Sequence, residues 1–139
     1  MSISQAGMLA IVEGLYAATG VGDFDKAETY LTDDFFITEA DTMPFAGTYR
    51  GKTALRDLYT KVMAMMDVAG LEITQHVTGG DYAVTILQFT FADPSLAPAP
   101  LCELYRFRDG KVCEIKPYYF DPAPILAACK AKAAQAAGA

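Results

Sequence analysis

The 139-residue chain has little positive charge: 11 Lys and Arg stand against 17 Asp and Glu, for a formal net charge of −6. Without a Lys/Arg cluster it has no means of tracking a phosphate backbone, so neither nucleic acid nor an anionic membrane is an expected partner. No apolar run approaches the roughly 18 to 20 residues that a spanning helix needs. The opening segment MSISQAGMLAIVEG lacks both a basic leader and a small-residue cleavage pattern, and the expected location is cytoplasmic. There is one histidine, His76, and the three cysteines, Cys102, Cys113 and Cys129, show no CxxC spacing. Neither a protein-held metal nor a disulfide framework is expected, the thiols read as buried, and no cofactor is implied.

What the chain does have is apolar substance. With 53% hydrophobic and 20% charged residues it suits one folded domain able to bury a proper core. Met8, Ile11, Val12, Leu15 and Tyr16 recur at helical spacing and predict a helix from about Ser4 to Thr19. Gly20 and Gly22 end it, and Asp23 can cap a short second helix reaching about Leu31. A strand over Asp34 to Ala40 follows, then a turn-rich stretch from Met43 to Gly51 around a brief extended piece. Leu55, Leu58, Tyr59, Val62 and Met66 predict a third helix from about Lys52 to Met66.

Strands take over from there. Leu71 to Thr78 turns through Gly79-Gly80 into Tyr82 to Phe91, and Leu101 to Arg108 turns through Asp109-Gly110 into Lys111 to Phe120. Pro122 and Pro124 lead into an alanine-rich helical tail, so the domain core spans residues 4–122 and the tail 123–139. The order predicts an α+β domain in which an antiparallel sheet carries helices on one face. Large apolar groups on both faces of the later strands, Leu104 and Ile115 against Tyr105 and Phe107, call for a second cover, and a homodimer through the sheet is expected.

Two glutamates interrupt this pattern where leucine would be ordinary. Phe35, Ile37 and Glu39 share one face of the first strand, and Leu101, Glu103, Tyr105 and Phe107 share one face of a later one. A carboxylate on an inward row is costly unless it is paired or takes up a proton, so two of them point to a pocket with acid-base chemistry. Both residues have a plainer reading. The loop from Ala40 would lift Glu39 into water, and a simple two-residue turn at Asp109-Gly110 would set Glu103 opposite Lys116 as an ion pair. A bulge would set Glu103 beside Ile115 and Pro117 instead.

The strings Gly22-Asp23-Phe24-Asp25, Leu31-Thr32-Asp33-Asp34, Pro44-Phe45-Ala46-Gly47-Thr48-Tyr49-Arg50-Gly51-Lys52 and Leu55-Arg56-Asp57-Leu58-Tyr59 resemble the nuclear transport factor 2-like superfamily. Within it, the SnoaL-like proteins related to ketosteroid isomerase are the nearest likeness. The resemblance implies a curved, cone-shaped antiparallel sheet wrapped around helices, with a cavity for a small apolar molecule, and pairing through the sheet. It implies Glu39 as general base and Glu103 as a protonated oxyanion donor, with Tyr59 in the supporting network; the protonated-acid logic is that of ketosteroid isomerase, itself a standard example. The oxyanion tyrosine of that family falls on Leu15 by ungapped counting, with Tyr16 one residue late. Asp121 resembles the late aspartate of SnoaL-type polyketide cyclases, beside its reading as a turn residue before Pro122.

Leu15, Phe35, Ile37, Leu58, Val62, Tyr105, Phe107, Ile115 and Tyr119 are the expected cavity wall. His76 shares a row with Glu72, Thr74 and Thr78 and is expected on a polar outer face, and Arg106 alternates away from Glu103. Met63, Met65 and Met66 read as adaptable core. The function classes that survive are a cofactor-independent proton-transfer enzyme acting on a carbonyl compound, a non-catalytic binder of the same ligands, and a dimeric interaction module.

Overall fold

A computed structural model describes residues 3–138. The Ser4 hydroxyl accepts from the Gly7 amide at 3.0 Å and starts helix α1, Gln5–Gly20, which buries Met8, Val12, Leu15 and Ala18 on one face. Gly14 sits in mid-helix because a Cβ there would come within 2.5 Å of the Tyr30 hydroxyl. Helix α2, Phe24–Glu28, is capped by Asp23, whose Oδ1 accepts from the Lys26 amide at 3.1 Å. It stops short of the expected Leu31, which instead opens strand β1, Leu31–Glu39. Strand β2, Gly47–Arg50, and helix α3, Ala54–Met65, follow, the helix burying Ala54, Leu55 and Leu58.

Strands β3, Val68–Gly79, β4, Tyr82–Phe91, β5, Ala99–Arg108, and β6, Lys111–Tyr119, then precede helix α4, Ala123–Gly138. The six strands form one curved, unclosed sheet in the order β2-β1-β6-β5-β4-β3. One expectation needs correction, because β1 and β6 run parallel, with Ile37 level with Ile115, while every other pair is antiparallel. Period-two alternation gives the face of a residue but not the direction of its neighbouring strand.

Irregularities in the ladders decide what the sheet presents. The β5–β6 turn has positive φ at Asp109, 54°, and Gly110, 77°, which suits a two-residue hairpin. The register then slips between Arg106 and Phe107: Phe107 pairs with Val112 but Arg106 with Glu114, leaving Cys113 as the extra residue. Glu103 consequently lies opposite Pro117, not Lys116, and the ion-pair alternative is set aside. Lys116 extends over the Tyr118 ring, 5.8 Å from its centroid. A second slip lies in β3 between Ile73 and Gln75.

The core packs between the helices and the inner face of the sheet, around Met8, Val12, Leu31, Phe35, Phe45 and Ile125. Phe35 and Phe107 belong here and not to the cavity wall expected of them. Each lies two residues along its row from a cavity residue, Ile37 or Tyr105, where the row has run past the cavity into closed packing. The tail packs back onto the domain. Ile125 and Ala128 are buried, and Lys132 Nζ reaches both Asp67 Oδ1 and the Met63 carbonyl at 2.9 Å. The opposite face of the sheet leaves Val77, Tyr82, Ile86 and Tyr118 substantially exposed. Among the described residues no helix is long and apolar enough to cross a membrane.

Candidate functional site

Between α1, α3 and the sheet lies an apolar cavity of about 450 Å³. Both glutamates line it, together with Leu15, Tyr16, Ile37, Leu58, Tyr59, Val62, Tyr105, Ile115 and Tyr119. All of these come from the expected set, and Leu15 and Tyr16 both reach the cavity. Sequence reasoning missed Thr19 and Leu55 on the helices, Val68, Leu71 and Ile73 on β3, and Phe89 on β4. Leu71 and Ile73 were legible as an alternating row, but nothing in that row says that the sheet curls far enough to bring it over the cavity. Met63, 51% exposed, lines the opening, so that methionine meets the cavity where Met66 is wholly core.

Glu39 ends β1, opposite Gly47, and is 4% exposed, so the loop after it does not lift it into water. Its Oε1 has no hydrogen-bonding partner among the described residues. Removal from water disfavours the charged form, Glu103 adds repulsion, and the Glu39 carboxyl is pushed up to about 8. Burial raises Glu103 as well, but there the Tyr16 hydroxyl donates to Oε1 at 2.5 Å and works in the opposite direction. One carboxyl is thus supported by a donor and the other is bare.

Four tyrosines enclose these acids. Tyr16 meets Tyr105 edge to face, with centroids 6.1 Å apart, and the same burial that raises the carboxyls raises the tyrosines. Tyr59, edge-on to Phe24 at 5.4 Å, is pushed up to about 12, chiefly by burial and then by the charge of Glu103. Tyr119, from β6, is likewise raised by burial first and by Glu39 and Glu103 next. Every phenol therefore keeps its proton through the neutral range and can act only as a hydrogen-bond donor or neutral acceptor there.

Two expectations fail at this site and one holds. Asp121 is exposed outside the cavity, its Oδ1 accepting from the Ala123 amide at 2.9 Å at the start of α4, as a turn aspartate does. His76 does not face outward. The slip between Ile73 and Gln75 reverses the alternation, so His76 turns inward and its Nδ1 lies 2.9 Å from the hydroxyl of fully buried Thr85. Arg106 does point away from Glu103, and pairs with Glu114 at 3.0 Å. No group of three or more His, Cys, Asp or Glu among the described residues is arranged to hold a metal ion.

The sequence matches the family model of the SnoaL-like domain over residues 12–115. No curated protein matches it. Among solved structures, an NTF2-like protein from Burkholderia xenovorans LB400 is similar, at 23% identity and a TM-score of 0.77, over 92% of this chain and 99% of that one. An NTF2-like protein of unknown function from Burkholderia pseudomallei K96243 shares 18% identity over 93% and 98% of the two chains, with a TM-score of 0.75. TerC, co-crystallised with polyporic acid, shares 14% over 89% and 98%, with a TM-score of 0.73. Identities this low speak for the fold alone. The family match covers most of the chain and agrees with the curved sheet and its cavity: this protein belongs to the SnoaL-like domain family of the NTF2-like superfamily.

Proposed function

We propose that the cavity binds a small apolar carbonyl compound and moves a proton on it without a cofactor. The observation that carries this reading is the Glu39 carboxyl, buried without a hydrogen-bonding partner on the wall of an apolar cavity that also holds the Tyr16–Glu103 pair. A group kept in so unfavourable a setting gains a role if it exchanges a proton with a ligand. Once ionised, Glu39 is a base whose raised pKa matches weakly acidic C–H bonds near neutral pH. It would take the proton beside the ligand's carbonyl. The carbonyl oxygen would rest against the neutral phenols of the same wall, Tyr59 and Tyr119, while Tyr16 spends its proton on Glu103. That TerC, a protein of the same fold, was crystallised with an organic acid is consistent with a cavity for organic ligands.

The test uses a panel of hydrophobic enones and 1,3-diketones in D₂O, with exchange of the C–H beside the carbonyl followed by proton NMR. Catalysed exchange should rise with pH to a plateau beyond about 8, the value at which Glu39 ionises, and should vanish in Glu39→Gln. Ligands that raise the melting temperature without any exchange would reduce the protein to a binder. No stabilisation by any of them would sink the ligand-binding reading too.

A further inference from the structure

The geometry points to a second ligand class for this cavity: a small apolar amine, held as its ammonium ion with the Glu39 carboxylate as counter-ion. This rests on the cavity being a ligand site, as proposed, and not on the proton transfer. Among the described residues the wall carries two acids, Glu39 and Glu103, and no Lys, Arg or His. It can be neutral or negative but never positive, so an anionic ligand meets no attraction there. The two acids are not equivalent. Glu103 already accepts from the Tyr16 hydroxyl at 2.5 Å, whereas Glu39, 4% exposed, has an Oε1 with no partner among the described residues. A buried acceptor in that state is satisfied by a donor, which a simple ketone does not bring.

A charged N–H donor is the strongest complement to a carboxylate. The rest of the wall suits an organic cation as well. Four tyrosines and Phe89 border the cavity, aromatic rings attract cations, and the aliphatic side chains of Leu71 and Ile73 offer a surface for a hydrocarbon tail. On binding, the Glu39 acid gives its proton to solvent while the ammonium keeps its own, so an ion pair forms and one proton leaves. Ionising Glu39 sets the pH dependence: with its carboxyl at about 8, affinity for the amine is lowered about tenfold at pH 7 and recovers as pH rises beyond 8. The other groups around Glu39 do not blur this. Tyr16 from α1, Tyr59 from α3, Tyr105 from β5 and Tyr119 from β6 stay protonated, as does the Cys129 thiol on α4, and ionisation of Glu103 on β5 only adds to the attraction. Strands β3 and β4 bring no ionisable group to the wall.

Phenylbutylamine, phenylbutanol and phenylpentanoate share a tail and differ in the charge of the head. Isothermal titration calorimetry of the whole protein at pH about 7, in two buffers of different ionisation enthalpy, reads both the affinity and the protons released. The amine should bind at least about tenfold tighter than the alcohol, with the carboxylate weakest and close to one proton released per amine bound. Glu39→Gln should erase the advantage of the amine while the alcohol keeps its affinity to within about threefold. Amine and alcohol binding alike to the wild type, binding of the amine without proton release, or an advantage that survives Glu39→Gln would each overturn the ammonium site. The outcome is separable from that of the proposed function. Catalysed C–H exchange in a protein that ignores the amine keeps the proton transfer and removes the ammonium site, and amine binding with proton release but without exchange does the reverse. No binding by any of the three, together with no exchange, removes both.

Discussion

Replacing Glu39 by glutamine should change the stability of the protein by an amount that depends on pH. Burial and Glu103 hold the carboxyl at about 8, against an ordinary 4.5. Below the lower value the acid is neutral in both folded and unfolded chains. Between the two, the unfolded chain releases the proton while the folded one keeps it, so each pH unit favours unfolding by about 1.4 kcal/mol. Stability that is fully present in acid is thus lost as pH rises: about 3 kcal/mol by pH 7, levelling at about 5 kcal/mol beyond pH 8. Glutamine has nearly the same shape and does not titrate. Its own unpartnered amide adds a penalty of about 1 to 3 kcal/mol that does not vary with pH. The difference between the two proteins should therefore drift toward the variant by about 3 kcal/mol between pH 4.5 and 7, whatever its sign at the acid end. Urea denaturation followed by far-ultraviolet circular dichroism at pH values of about 5, 6, 7 and 8 measures that drift. A difference constant to within about 0.5 kcal/mol across the series would refute the buried-acid argument.

Tyr16→Phe leaves Glu103 without its donor and should cost about 1.5 to 3 kcal/mol of stability, measured by denaturation. Asp121→Ala should cost only about 0.5 to 1 kcal/mol, as loss of a turn-and-cap bond does, and an exchange rate that fell with it would contradict the position of Asp121 outside the cavity. Deleting the chain after Lys130 removes the Lys132 contacts to Asp67 and Met63; because both charged groups are partly exposed, the loss should stay below about 1 kcal/mol, or about 2 to 4 °C in melting temperature. We propose a homodimer through the outer face of the sheet, where Ile86, Tyr118 and Phe120 are 40, 53 and 86% exposed. Sedimentation should show twice the 15.0 kDa chain mass, and a lone monomer at micromolar concentration would remove the idea.

The elements of this fold are visible in the sequence because each follows from local periodicity. The stripe from Met8 to Leu15 makes α1, the Asp109-Gly110 turn makes the last hairpin, and the α+β order follows from their succession. Glu39 and Glu103 stand out by the same rule, as charges on apolar rows, and both line one cavity. Local patterns do not carry register, however. One extra residue between Ile73 and Gln75 turns His76 from the outer face to the inner, and one at Cys113 moves Glu103 from Lys116 to Pro117. The side-chain period of a strand is two, so a slip of one residue exchanges the faces completely, and what tips it is packing on both sides of the sheet at once. The parallel seating of β6 beside β1, the closing of Phe35 and Phe107 into the core, and the meeting of Tyr16 with Glu103 across 87 positions of sequence are decided in the same way. They depend on which distant surfaces fit together, and that is a property of the folded chain.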